Sequence, residues 1–368
     1  MNEEIFNSVM LSVISSPGAA GIVYNSGVFI GELMDAISHG EHKVQEHLVK
    51  LYGGDPVSAA GAIIRVCESS GVHIVTAWDD SYPILLREIH MPPLVLYCRG
   101  ELTRGRHISI VGTRGSNSVS EEITRRIASS LVSRKITVTS GLALGVDRNA
   151  HLGALAAGGS TLAVLPQGID VITPRANRDV YERILDTPGS AVISELPPGV
   201  RSGEPWVFVR RNRIISGISE ALIITQAPLK SGAMITAKYA LEQNRDLYVC
   251  PGNAFDETYS GCHSLIKQGA QIISGLEEFL CDIDPLYSAG ENEQNDRGEN
   301  VQLKVSMESG VTFNGTEKIV MQAALNAWAD IDEIARINSV PAGEISRAVT
   351  SLEIAGNILR RGNRIRAV

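Results

Sequence analysis

The chain has 368 residues, 44% hydrophobic and 20% charged, long enough for two or three domains and too apolar for a disordered tail. Its formal net charge of −8 excludes a generally sticky nucleic-acid coat, yet between Arg99 and Cys281 basic residues outnumber acidic ones 20 to 17. No apolar run reaches membrane-spanning length, and the start MNEEIFNSVM lacks the basic flank of a secretory signal. Five scattered cysteines (Cys67, Cys98, Cys250, Cys262, Cys281) show no CxxC pairing, so neither a disulfide framework nor a zinc site is indicated and a reducing cytoplasm is expected.

Residues 1 to about 70 read as short helices, with apolar spacing in EIFNSVMLSVI and VFIGELMDAI. Ser16-Pro17-Gly18 and Ala19-Ala20-Gly21 fit a helix-hairpin-helix elbow, but Lys43 and Lys50 are the only basic residues before Arg65, which favours packing over DNA contact. Residues 71 to 100 alternate short apolar strands with the rigid turns Tyr82-Pro83 and Pro92-Pro93, and read as a bridge between the first domain and the sheet.

From 107 to 281, the strand-like runs HISIV, ITVTS, TLAVL, AVISE, ALIIT, DLYVC and QIIS alternate with amphipathic helical segments. That pattern predicts an α/β fold with a doubly wound, mostly parallel sheet, whose ligands bind beyond the strand C-termini. Asp282 to Asn300 is an acidic linker. A last unit reads helix, helix, helix, then two short strands around Gly362-Asn363, the plan of a winged helix. The expected division is a helical domain over 1–70, the sheet domain over 71–281, a linker over 282–310 and the winged-helix unit over 311–368.

The loops at the strand ends carry the candidate chemistry. After HISIV, Gly112 and Gly115 permit a tight turn that holds Arg114, and Ser120 with Glu121 and Glu122 reads as a helix start. Strand, glycine loop and helix can aim backbone N–H groups at an anion, although an ordinary turn with a solvated arginine is an equal alternative. Ser140 and Gly141 offer donors after ITVT, and Arg175 and Asn177 follow Pro174. Arg210-Arg211-Asn212-Arg213 is the densest basic cluster, and at least one of its arginines should face the ligand edge. Ser231 and Gly232 repeat the cradle logic, and Lys238 either points along the groove or is solvated. Asp147 and His151, four apart, could serve acid–base chemistry or a metal, but a capping Asp and a packed His are the plainer reading. Cys262-His263 are adjacent on a helix and cannot face each other. No Walker loop, Ser-His-Asp set or metal-ligand cluster is present in the sequence, so a binding groove without catalysis or cofactor is expected.

At these residues the chain resembles the DprA/Smf family of DNA-processing proteins. The matching stretches include IVGTRGSN, SGLALGVDRNAHLGAL, GGSTLAVLPQGIDVITPRAN, SELPPG, RRNRIISGIS, SGAMITAKYALEQNRDLYVCPGN and GCHSLIKQGA, in family order. The resemblance implies an extended Rossmann-like domain with a small helical N-terminal domain (SAM or helix-hairpin-helix-like) and a C-terminal winged helix. It implies a homodimer that binds single-stranded DNA, protects incoming strands and helps load RecA recombinase in transformation. Implied binding residues are Gly112, Arg114, Ser140, Gly141, Arg175, Asn177, Arg211, Asn212, Arg213, Ser231 and Gly232, with Lys238 an addition. Pro166-Gln167 stands where the family has glycine and a small residue, and Arg175 where lysine is frequent. Two other readings remain: a small-nucleotide binder or phosphoribohydrolase, for which Glu195 is the one obvious strand-end carboxylate, and a DNA-binding winged helix, whose tail from Asn357 holds four arginines and no acid.

Overall fold

The computed structural model describes residues 3–14, 46–201, 204–283, 315–324, 329–338, 340–355 and 358–367. The elbow at Ser16–Gly21 and the acidic linker from residue 284 onward lie outside the described residues. The chain divides into two compact units, Met1–Ser274 and Gly275–Val368.

The first unit is built on one nine-stranded sheet in the order β1-β2-β6-β5-β4-β3-β7-β8-β9. Its strands are β1 (His73–Thr76), β2 (Val95–Gly100), β3 (His107–Val111), β4 (Thr137–Ser140), β5 (Thr161–Leu165), β6 (Ala191–Ser194), β7 (Ala221–Ile224), β8 (Asp246–Val249) and β9 (Gln271–Ile272). From β6 to β9 every pairing is parallel, which makes this a large α/β fold with a mostly parallel, Rossmann-like sheet. The stretch expected to bridge the first two domains instead widens the sheet, because β2 pairs antiparallel with both β1 and β6. Residues of β3, β4 and β5 are buried throughout, as strands covered on both faces must be.

Helices cover both faces. In chain order they are α1 (Glu3–Ile14), α2 (Glu46–Tyr52), α3 (Pro56–Ser70), α4 (Ile84–Arg87), α5 (Ser118–Ser133), α6 (Val146–Ala156), α7 (Arg178–Leu185), α8 (Pro205–Ile218), α9 (Gly232–Glu242) and α10 (Ser260–Lys267). Successive residues of β5 point to opposite faces. Ala163 and Leu165 join one core with Val9, Leu11 and Ile63 of α1 and α3 and Val180 and Ile184 of α7. Leu162 and Val164 join the other with Ile214 and Ile218 of α8, Ala237 of α9 and Leu265 of α10. The described N-terminal helices therefore share their core with the sheet.

The start of α5 differs from the sequence reading. Asn117, not Ser120, caps it: the Asn117 side chain accepts from the Ser120 amide at 2.8 Å, and Ser120 is buried inside the first turn. Asn117 was the stronger signal, since it stands where a side-chain carbonyl reaches the N3 amide.

The second unit holds α11 (Leu276–Ile283), α12 (Gly315–Ala324), β10 (Ala329–Asp330), α13 (Ile331–Asn338), α14 (Ala342–Ile354), β11 (Ile358–Arg361) and β12 (Arg364–Ala367). Val320, Ile334, Ile345, Val349, Leu352 and Ile365 form its core. The hairpin expected around Gly362 is present, and β10 adds an unforeseen third strand beside β12.

A buried histidine contributes to the response of the first unit to acid. His151 on α6 is fully buried, with Nδ1 2.8 Å from the Thr161 hydroxyl. That hydroxyl donates to the Val138 carbonyl, so Nδ1 must carry the proton and donate to Thr161. Burial first, and the Arg211 charge second, push the imidazole down to about 3. Unfolded, the ring takes up a proton below about pH 6.5; folded, it stays neutral until about 3. Acid in that window therefore favours unfolding, by about 2–3 kcal/mol from this group at pH 4.5. Urea unfolding at pH 7 and 4.5 should show this loss, and His151→Gln should flatten the dependence.

Candidate nucleic-acid interface

The sheet reverses direction of growth at β3. Strands β4, β5 and β6 are laid down on one side of it, and β7, β8 and β9 on the other. A crevice opens at such a point, beyond the strand C-termini. Here it is a cleft of about 420 Å³, lined by the loop after β3, the start of α9 and one face of α8. Gly112 makes the close approach possible: a Cβ there would stand 2.5 Å from Val146 and 2.7 Å from the Gln226 carbonyl.

α8 connects β6 to β7 and crosses the centre of the sheet, where the Ser109 hydroxyl on β3 holds it by donating to the Ile215 carbonyl at 2.7 Å. Its residues Phe208, Arg211, Asn212 and Ile215 recur at helical spacing and line the cleft. Arg210 and Arg213, on the opposite side, both reach Glu195. The arginine cluster thus splits, and Arg211 is the member that meets the cleft. It is buried behind the surface, with Nη1 donating to the Gly141 carbonyl at 2.7 Å and the Val164 carbonyl at 2.6 Å. Burial lowers its pKa to about 10, offset in part by Asp147, and it keeps its charge at neutral pH.

Cationic groups outnumber acids around this cleft. Arg114 is exposed on the glycine loop and lies over the Phe208 ring at 5.5 Å. Lys230 is exposed on the loop before α9. The one acid on the lining, Asp147, accepts from the Gly141 amide at 3.1 Å and the Ala143 amide at 3.4 Å. Burial raises its carboxyl, while the Arg211 charge and these amides pull it back. Asp147 and His151 turn to different partners, which removes their reading as an acid–base or metal pair. Ser231 caps α9 by accepting from the Ala233 amide at 3.2 Å, and Gly232 beside it is open to solvent.

Gly112, Arg114, Arg211, Asn212, Ser231 and Gly232 therefore come together as the sequence suggested. Others do not reach the cleft. The Ser140 hydroxyl is buried and donates to the Ile110 carbonyl at 2.6 Å. Gly141 lies underneath, where a Cβ would collide with the Arg211 guanidinium. Asn177 is buried and ties the next loop down by donating to the Leu142 and Ala143 carbonyls, both at 2.9 Å. Arg175 is exposed on the turn before α7, Arg213 is buried against Glu195, and Lys238 faces solvent beside Glu242 at 3.7 Å. Pro166-Gln167 forms an ordered loop, with the Gln167 carbonyl accepting from Ser194 at 2.5 Å. Lys230, Thr113 and Phe208 also line the cleft and were missed. The spacing of Phe208, Arg211 and Ile215 on one helical face was the signal for Phe208, and the position of Lys230 just before Ser231-Gly232 was the signal for the lysine.

Glu195 meets Arg213 at 2.6 Å and Arg210 at 3.0 Å. Burial would raise its carboxyl, but the Arg213 and Arg210 charges outweigh that and hold it below the usual carboxylate range. Both oxygens are engaged, and the group is absent from the cleft lining. It does not supply the poised carboxylate that hydrolysis of a nucleotide would require.

Fold and site together define a Rossmann-like α/β protein whose switch-point cleft is lined by cations and a helix N-terminus. The model of the DNA recombination-mediator protein A family matches residues 73–284. The chain belongs to that family. It is similar to the protein Smf of Synechocystis, with 34% identity over 77% of this chain and 76% of that one. It is also similar to the DNA processing protein DprA of Streptococcus pneumoniae, with 30% identity over 70% of this chain and 95% of that one. Among solved structures, the pneumococcal DprA covers 77% of this chain and 98% of its own, at TM-score 0.60 and 26% identity. The Helicobacter pylori DNA processing protein A, described for its single-stranded DNA binding mode, covers 58% and 97%, at TM-score 0.52 and 29% identity.

Two substitutions test this wiring. Gly141→Ala should displace Arg211 and lower stability by about 1–3 kcal/mol, read from the melting temperature. Glu195→Gln leaves buried Arg213 and half-buried Arg210 without their counter-charge and should cost about 3–5 kcal/mol in urea unfolding.

Proposed function

We propose that this protein holds single-stranded DNA in the switch-point cleft by its phosphates, as a cytoplasmic homodimer that catalyses no reaction on the strand. The observation that carries this reading is the convergence of Arg114, Arg211 and Lys230 with the start of α9 around one cleft. Arginine forks and helix N-termini hold phosphate without reading sequence. Phe208, under Arg114, offers an aromatic face on which a base can stack. The single-stranded DNA binding for which the Helicobacter relative is described supports the same ligand. Family membership supports the further step, delivery of the strand to RecA recombinase during transformation. Exposed Leu241 on α9 and Ile272 on β9 are apolar groups that a second copy would cover. None of the described helices is long and apolar enough to cross a membrane.

The second unit supports a separate role. Helices α12, α13 and α14 with the three-stranded sheet fit a winged helix, with exposed Arg360 on the hairpin. We assign it a duplex or protein contact that single-strand binding does not require.

Anisotropy with a labelled oligothymidylate should show tight binding, weaker binding to duplex, and affinity falling with salt. Arg114→Ala and Lys230→Ala should each weaken binding and reduce the log–log salt slope by about 0.7. Lys238→Ala, outside the cleft, should change neither. Unchanged affinity in both cleft variants would place the strand elsewhere. Truncation after Cys281 should leave single-strand affinity intact, and the full chain should raise RecA ATPase activity on DNA coated with single-strand-binding protein.

A further inference from the structure

α8 starts beyond the C-terminal edge of the sheet, and its first turn carries two aromatic side chains, Trp206 and Phe208. Two residues apart, they stand about 200° apart around the helix and so face opposite ways. Phe208 lines the cleft with Val111 and Gly112 at the end of β3. Trp206 lines a narrow crevice over the ends of β5 and β6, with Leu165, Pro166, Leu196 and Arg210. Arg211 lines both, which makes crevice and cleft continuous around the first turn of α8.

Trp206 is 52% exposed, although tryptophan has more apolar area to bury than most side chains. The fold leaves the indole open while holding it in place. Arg210 lies over the ring at 5.9 Å, and Glu195 fixes that arginine at 3.0 Å. An indole anchored by a cation and half open to solvent is a platform for a second flat π system. The charges nearby define which part of a strand it suits. Glu195 lines the crevice and exposed Glu204 stands two residues before Trp206, so a phosphate gains little here and the face of a base gains most. From β3 to β5 is two strand spacings, roughly 10 Å, so the base on Trp206 belongs to a different nucleotide from the one beside Phe208.

We propose that Trp206 is a second base-stacking site for the strand held in the cleft, receiving a base that lies beyond it. The inference rests on the reading of the cleft as a single-stranded DNA site. The strand then crosses the first turn of α8, its phosphates on Arg114, Arg211 and Lys230 and one base on the indole.

The test is anisotropy of full-length parent and variants with two labelled strands of equal length, an oligothymidylate and one made of abasic sugars throughout. Trp206→Ala should weaken oligothymidylate binding by roughly fivefold or more and leave the log–log salt slope unchanged, because stacking releases no counterions. Trp206→Leu keeps apolar bulk without a ring and should lose as much, whereas Trp206→Phe should recover most of the affinity. On the abasic strand Trp206→Ala should equal the parent, while Arg114→Ala stays weaker. The proposal is overturned if Trp206→Ala binds oligothymidylate as tightly as the parent, if it loses as much on the abasic strand, or if Trp206→Leu binds as well as Trp206→Phe. Where Trp206→Ala is silent and Arg114→Ala is weakened, this inference alone falls; where both are silent, the cleft reading falls with it.

Discussion

The first unit depends on a cation largely buried at the floor of the cleft. The Arg211 guanidinium lies between the carbonyls of Gly141, just past the end of β4, and Val164, within β5. One nitrogen thereby ties the crossover helix to two neighbouring strands at the edge where the cleft opens. The arrangement needs an arginine, whose charge survives burial, and a glycine at 141, because any Cβ there would occupy the guanidinium's place. Asp147 supplies the nearby negative charge while one of its oxygens holds the Gly141 and Ala143 amides. The cleft thus has a preorganised floor that stores positive potential close to the surface.

α8 then divides its work by face. Phe208, Arg211, Asn212 and Ile215 look into the cleft, whereas Arg210 and Arg213 clamp Glu195 just past the end of β6. One face of the helix holds groups that position the fold, and the other holds groups that line the cleft. A substitution at Arg213 should therefore be read first as a stability change, and one at Arg114 first as a binding change. The helix cannot slide to compensate, because Ser109 fixes it to β3 from below.

Much of this was legible in the sequence. The seven core strands fall where the apolar runs stood, since strands buried on both faces are nearly continuous in hydrophobicity. The gathering of the small-residue loops was legible too, because loops after parallel strands must lie on one side. What the sequence did not resolve was depth. Ser140, Asn177 and Arg213 have the same chemistry as true surface donors, yet each is buried and bonded to a partner distant in the chain, Ile110, Leu142 and Glu195 respectively. Such pairings depend on tertiary register and leave no local trace. Lys230 shows the converse: an unremarkable loop lysine gains its role only because the loop opens on the crevice.

The net charge of −8 fits a single-strand binder once the distribution is considered. Screening confines each charge to about 8–10 Å at physiological salt, so acids farther than that from the cleft scarcely lower its potential. On the lining itself Arg114, Arg211 and Lys230 oppose Asp147 alone. A net negative charge also penalises casual adhesion to duplex, whose phosphate density is twice that of a single strand. Selectivity for a lone strand can then arise from shape and charge placement without any base being read.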